Sequence, residues 1–214
     1  MATYVVGISG ASGAVYGTRL IAALALQGHA LHVVISDTAR SIVRDETGLD
    51  LGQGPEAASR ALSAHAPGAA ELQVHDPRNL YATIASGSVP TDGMVVAPCS
   101  MKTLASIAHG LSDTLLGRAA DVHMKEGRPL ILVPRETPLS LIHLDNMRTL
   151  AAVPGVRILP AMPAFYTRPQ SVNDLVDFVV ARILDNLGAG GDITPRWQGV
   201  SAPSRQRPRT GKNK

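Results

Sequence analysis

The chain is poor in cysteine, in aromatic residues and in long apolar runs. Cys99 is the one cysteine among 214 residues. No disulfide can therefore form within the chain, and a reducing compartment is expected. No segment reaches the roughly 18 uncharged apolar residues that a membrane span requires. The first apolar run is broken by Gly7 and Ser9 and has no basic region before it, so a soluble, cytoplasmic protein is expected. Metal signatures are missing too. The seven histidines are scattered, with His29 and His32 on a turn and a strand rather than one helix face, and no Asp-Asp-x-x-Asp occurs. No Gly-Lys-Ser/Thr follows the early glycines, which excludes a usual P-loop.

Positive charge is plentiful only at the end of the chain. Arg205, Arg207, Arg209, Lys212 and Lys214 crowd the last ten residues, and without them the formal charge of +3 falls to −2. The body is close to neutral, and residues 201–214 are expected to form a disordered basic tail. Nothing in the body supports binding to nucleic acid or membrane. The hydrophobic fraction of 45% is ample for one core. A single domain over 1–188 followed by an arm over 189–200 is expected.

Strand-like runs over 4–9, 31–36, 71–75, 93–98, 129–134 and 156–161 alternate with helical segments over 13–27, 38–47, 55–65, 100–109, 113–126, 140–152 and 172–187. Most of the strands are rich in Val, Ile and Leu without polar alternation, as in strands buried on both faces. The pattern predicts a doubly wound parallel sheet in a three-layer α/β/α domain, with ligands at the carboxyl ends of the strands.

The first such end is Gly7-Ile8-Ser9-Gly10-Ala11-Ser12-Gly13-Ala14, a strand, a glycine turn and a helix start. Open N–H groups at a helix start form an anion site, most often for phosphate. The spacing is G-x-x-G-x-x-G, not the G-x-G-x-x-G of dinucleotide folds, and Asp37 stands just beyond the second strand as the one candidate ribose acid. A serine nucleophile elbow would need glycine at Ala14. Packing alone accounts for Gly7 but leaves the hydroxyls of Ser9 and Ser12 unexplained.

The later strand ends are also polar. Pro98-Cys99-Ser100-Met101-Lys102-Thr103 opens a helix with Ser100 as a natural N-cap, and its Ser, Thr and Lys suit a phosphate or a polar ring edge. Cys99 has no paired base nearby and reads as a small buried residue. Arg118 and Lys125, seven apart, share a helix face, while the i,i+4 spacing of Asp121 and Lys125 predicts an ion pair. Pro134-Arg135-Glu136-Thr137-Pro138 sets a cation and an acid between two prolines. Arg135 suits bidentate phosphate contact, and Glu136 suits proton transfer. Phe165 and Tyr166, two of the seven aromatics, lie on a proline-rich loop that can wall an apolar ligand or pack beneath itself. Arg182, on the last helix, reads on its own as a surface charge.

Taken together, residues 7–14, 85–88, 98–103, 118–126, 134–138, 142–147 and 163–171 closely resemble the UbiX-type flavin prenyltransferases. These belong to the larger group of homo-oligomeric flavin-containing cysteine decarboxylases. The match runs in order from Tyr4 to Trp197 and omits the tail. It implies a flavodoxin-like or Rossmann-like fold that binds FMN. The implied reaction joins a dimethylallyl group from dimethylallyl phosphate to N5 and C6 of reduced FMN, without metal. It further implies a homo-oligomer, a dodecamer in the family's usual form, whose product serves a UbiD-type decarboxylase. By this resemblance Gly10, Ala11, Ser12, Ser36, Ser100, Met101, Lys102, Thr103 and Arg135 bind FMN. Ser86, Gly87, Arg118, Lys125, Glu136, Tyr166 and Arg182 hold the prenyl phosphate, some of them from neighbouring subunits. Ser12 and Glu46 act near flavin N5, and Lys125 and Glu136 near the phosphate. Glu46 is preferred to Asp45 because the family's acid precedes threonine. Tyr81, which is Trp in some members, and Trp197 are candidates for facing an allylic cation.

Two other readings stay open. Flavin-dependent cysteine decarboxylases carry Pro-Ala-Ser-Ala-Asn-Thr where this chain has residues 98–103, and a P-x-M-N-x-x-M-W segment that this chain lacks. A plain FMN carrier leaves Lys125, Glu136, Tyr166 and Arg182 without a purpose.

Overall fold

The computed structural model describes residues 1–191 and 193–195. Trp197 and the basic tail, with half of the expected arm, lie outside the described residues. Six parallel strands form one sheet in the order β3-β2-β1-β4-β5-β6. They are β1 (Thr3–Ile8), β2 (Ala30–Ile35), β3 (Glu71–His75), β4 (Gly93–Cys99), β5 (Leu130–Pro134) and β6 (Val156–Ile158). The helices are α1 (Ala14–Leu26), α2 (Asp37–Thr47), α3 (Gly54–His65), α4 (Met101–Ala108), α5 (Leu115–Lys125), α6 (Leu141–Ala151) and α7 (Val172–Leu187). Every strand and helix read from the sequence is present, and β6 alone is markedly shorter than expected. The strand order reverses between β1 and β4, and ligands of such sheets bind at that crevice.

Alternation along the strands divides the core. Tyr4, Val6 and Ile8 of β1 point into one layer with Val33, Ile131 and the buried faces of α1, α3 and α7. Val5 of β1 points into the other with Val34, Val96, Leu132 and residues of α4, α5 and α6. Helix α1 lies very close to the sheet. A Cβ on Gly17 would stand 2.3 Å from the carbonyl oxygen of Ala97, so only glycine allows this approach. α4 and α5 press on the opposite face, where Leu116 sits 3.1 Å from the position a Cβ on Gly7 would take.

Two histidines meet near the sheet edge. His32 Nδ1 and His75 Nε2 are 3.0 Å apart, one donating and the other accepting. His75 is 7% exposed. Burial, and then the neighbouring His32, push its pKa down to about 4, while burial outweighs Glu71 in lowering that of His32. The unfolded chain binds protons at these imidazoles from about pH 6.5 downward, whereas the folded pair resists until much lower pH. Stability should therefore be fully present above pH 6.5 and decline as pH falls toward 4. We expect a loss of roughly 1–2 kcal/mol across that window, tempered by solvent screening. Denaturant titrations at pH 7.5, 5.5 and 4 should show it, and His75→Gln should flatten the dependence.

Candidate functional site

A cleft of about 510 Å³ opens at the carboxyl ends of β1, β2, β4 and β5. Its construction starts from Ser9, which is 1% exposed. The Ser9 hydroxyl donates to the Pro98 carbonyl at 3.0 Å and accepts from the Ser100 N–H at 2.8 Å. The Ser9 N–H also donates to Pro98 at 3.2 Å. One side chain thus fastens the tip of β1 to the tip of β4 across the strand-order switch.

Three helices begin at this cleft. Ser36 caps α2, Ser100 caps α4 and Thr114 caps α5, their hydroxyls accepting from the N–H groups of Ala39, Thr103 and Gly117. All three caps line the cleft. Their helix dipoles bring partial positive charge toward one place, which favours an anion. Lys102 adds a full positive charge, Arg78 is paired with Asp37, Asp113 and Glu136 also line the cleft, and Met101 and Leu116 provide apolar wall. An amphipathic ring compound with a phosphate fits this donor set, and the volume is that of a ligand site.

Helix α1 behaves differently. The Glu46 carboxylate, reaching from α2, accepts from the N–H groups of Gly13 at 2.8 Å and Ala14 at 2.9 Å. The helix start that the sequence offers as an open anion site is thus occupied by the chain's own carboxylate. Burial raises the Glu46 pKa, but the Ser12 hydroxyl, the two N–H groups and the Arg135 charge outweigh it and hold it below its ordinary value. Arg135 Nε donates to the Ser12 carbonyl at 3.0 Å, completing a Ser12–Glu46–Arg135 cluster beside the cleft.

A second polar group surrounds the turn at residues 83–88. Arg118 Nε donates to the Ala85 carbonyl at 3.1 Å, and its Nη1 pairs with Asp121 at 2.7 Å. Lys125 pairs with Glu126 at 2.6 Å. The Asp121–Lys125 pair expected from spacing does not form, because Asp121 turns to Arg118 instead. A Cβ on Gly87 would stand 2.8 Å from Lys125 Nζ, so the turn lies directly on the lysine. Ser86 and Ser88 hydroxyls are 2.8 Å apart.

The Flavoprotein family model matches residues 2–184. The probable UbiX-like flavin prenyltransferase of Streptomyces sp. (strain D7) is 50% identical over 92% of each chain. This chain belongs to the UbiX flavin prenyltransferase family. Two solved structures agree. A dodecameric FMN-dependent UbiX-like decarboxylase from Escherichia coli O157:H7 superposes with TM-score 0.81 at 46% identity, covering 92% of this chain and 100% of that one. AnUbiX (PadA1), in complex with FMN and dimethylallyl pyrophosphate, gives TM-score 0.83 at 39% identity, covering 94% and 99%.

Against the residues that the UbiX resemblance names, the geometry is uneven. Gly10, Ser36, Ser100, Met101, Lys102, Thr103 and Glu136 line the main cleft together. Ala11 is buried, and Ser12, Glu46 and Arg135 stand beside the cleft. Ser86, Gly87, Arg118 and Lys125 gather at the turn described above. Tyr166 and Arg182 lie elsewhere, around a cavity of about 290 Å³ against α7. There the Tyr166 and Phe178 rings meet nearly at right angles with centroids 5.9 Å apart, and Arg182 pairs with Asp185 at 2.9 Å. Since α5 and α7 pack on opposite faces of the sheet, one subunit does not bring Arg182 to Lys125. Tyr81 is 99% exposed.

Sequence reasoning missed several cleft residues. Asp37, considered only as a ribose acid, pairs with Arg78 at the rim, and Thr38 and Thr114 also line the wall. Arg78 and Thr114 follow no motif; only the N-cap position of Thr114, before an apolar helix, could have signalled it. Cys99 is fully buried, and burial pushes its thiol pKa up, so it does not serve as a nucleophile. Among the described residues no three His, Cys, Asp or Glu side chains form a metal-ligating group, and no helix is long and apolar enough to cross a membrane.

Removing the Ser9 hydroxyl tests the foundation of the cleft. Ser9→Ala leaves the Ser100 N–H without its partner and should cost about 1–3 kcal/mol. Thermal or denaturant unfolding checks this; an unchanged midpoint would show that the bridge carries no stability.

Proposed function

We propose that this chain transfers a dimethylallyl group from dimethylallyl phosphate to reduced FMN. The allylic C–O bond breaks and phosphate leaves as N5 takes the freed carbon and gives up its proton; the C=C of the group is then consumed, gaining a proton as its tertiary carbon bonds to C6, which gives up its own proton. The observation that carries the reading is the convergence of three helix N-termini on a cleft with apolar walls. Gly10, Ser36, Ser100, Lys102 and Thr103 would hold FMN there, with Met101 against the ring. Ala11, Ser12 and Arg135 would complete its edge.

The chain's own groups then have defined tasks. Ser12 orients Glu46, whose carboxylate its hydrogen bonds and Arg135 keep ionised, so it has an oxygen free to take a proton near N5. Arg118, Lys125 and Arg182 neutralise the departing phosphate, which is why the reading needs no metal. Ser86 and Gly87 offer it a hydroxyl and backbone, and Glu136 is a proton carrier at its oxygen. Tyr166 closes the apolar end.

Because the sheet divides Lys125 from Tyr166 and Arg182, we infer that neighbouring subunits complete each site. The exposed apolar residues Leu141, Ile142, Met162 and Phe165 support such association. A dodecamer, like the UbiX-like relative from Escherichia coli, is the assembly this reading adopts. It also assigns the cytoplasm as compartment and a UbiD-type decarboxylase as recipient of the product. A cysteine decarboxylase would need the helix-start and substrate segments that this chain lacks.

Anaerobic incubation with reduced FMN and dimethylallyl phosphate, followed by mass analysis of the released flavin, should yield a flavin enlarged by one five-carbon unit. No enlarged flavin would overturn the reading. Lys125→Ala should lower turnover by about 10²–10³-fold while FMN affinity, followed by flavin fluorescence, stays within a factor of two or so of the parent.

A further inference from the structure

Arg128 stands outside the residues assigned so far, between α5 and β5. Its Nη2 donates to the Gly87 carbonyl at 2.6 Å and its Nη1 to the Val89 carbonyl at 2.8 Å. The same Nη1 reaches the Thr91 hydroxyl at 3.3 Å. Thr91 Oγ1 lies 2.9 Å from Nε2 of His123, and His123 Nδ1 lies 2.7 Å from the Ala119 carbonyl. His123 is 1% exposed and Thr91 9%.

Proton positions along this chain are determined by elimination. An arginine only donates, and a carbonyl only accepts. The Ala119 carbonyl only accepts, so the imidazole proton sits on Nδ1 and is donated to it. Nε2 of the neutral ring then accepts the Thr91 hydroxyl proton, and the Thr91 oxygen accepts from Arg128. Burial, with the Arg128 charge adding to it, outweighs the Ala119 and Gly93 carbonyls that raise the His123 pKa, and lowers it. Each donor has an acceptor, and the backbone N–H of Arg128 donates to the His123 carbonyl at 2.8 Å.

The consequence concerns Lys125. It lies two residues beyond His123 on the same helix end, and Gly87 lies against its ammonium group. Arg128 grips the carbonyls on both sides of Ser88, while the Thr91–His123 link anchors Arg128 to α5. We propose that Arg128, anchored by Thr91 and His123, is a positioning residue that sets the turn at residues 86–89 against Lys125 for the prenyl phosphate. This rests on the prenyltransferase reading above. Arg128 acts through the loop backbone and has no contact with the transferred group in this role.

The assay is prenylation of reduced FMN by the full-length assembled protein. Parent protein that makes no prenylated flavin overturns the prenyltransferase reading, and the positioning role with it. With active parent protein, Arg128→Ala should lower kcat/KM for dimethylallyl phosphate by about 10²-fold, chiefly through KM, as expected for a misplaced binding group. FMN affinity should not change. Arg128→Lys keeps the charge but cannot span two carbonyls, so it should resemble Arg128→Ala; parent-like kinetics for Arg128→Lys would overturn the proposal. Thr91→Val removes the hydroxyl without changing volume and should raise the donor KM by about tenfold. If Arg128→Ala does not fold, an unchanged donor KM in Thr91→Val overturns the proposal by itself. Equal loss of FMN affinity and donor affinity in these variants would also overturn it, since that marks a general structural role.

Discussion

The molecule's chemistry depends on one buried hydroxyl at the reversal of its strand order. A doubly wound sheet leaves a crevice between β1 and β4 because the connections from these strands go to opposite faces. Such a crevice tends to splay. Ser9 prevents this by bonding the carbonyl of Pro98 and the N–H of Ser100 with one oxygen. The Ser100 N–H lies at the first turn of α4, so the same bond that joins the strands also aims a helix. The Ser100 hydroxyl, released from that duty, caps the Thr103 N–H and donates to the Thr103 hydroxyl at 3.0 Å. The position of α4 and of its polar start therefore follows from a residue that does not face the cleft.

The sheet that builds the cleft also limits what one subunit can do. Alternating side chains force α5 and α7 onto opposite faces, so Lys125 and Arg182 belong to different layers. Both are tied locally in the isolated subunit, to Glu126 and to Asp185. These are exposed pairs of modest strength, weak enough to yield to the dianionic phosphate that the proposed function brings to them. Glu46 illustrates the same economy at a helix end. Its carboxylate satisfies the first N–H groups of α1, which otherwise lack partners. That anchoring orders the Ser12–Arg135 cluster before any ligand arrives.

Much of this was legible in the sequence, for physical reasons that differ by level. Buried parallel strands read as unbroken Val, Ile and Leu runs, so the sheet and its helices were recognisable, and the polar strand tips pointed to the cleft. β6 was overread because the regular pairing ends at Ile158: Leu159 and Ala161 still donate to Leu132 and Pro134, but Pro134 and Pro160 have no N–H with which to continue the ladder. Ion pairing was read wrongly at Asp121, where i,i+3 and i,i+4 partners compete on equal terms. The capture of the α1 start by Glu46 was invisible, since it joins residues 32 and 33 positions apart through tertiary packing. Arg128 was overlooked for the same reason: its partners lie about 40 residues earlier in a loop that carries no periodicity.

Two anions are handled by two kinds of charge, and the difference follows from their fates. A cofactor phosphate has to stay in one place through the reaction. Backbone N–H groups at capped helix starts suit it, because their geometry is fixed by folding and costs no side-chain entropy on binding. A leaving phosphate has to be drawn out as its charge develops and then released. On the proposed reading, long side chains such as Arg118 and Lys125 suit that task, since their ion pairs with Asp121 and Glu126 can give way to a phosphate and re-form. Such mobile cations work only if the surface beside them is stiff, and the turn at 86–89 has little core of its own to make it so. The guanidinium of Arg128, bonded to two of its carbonyls, supplies the stiffness that the hydrophobic core does not extend to this rim.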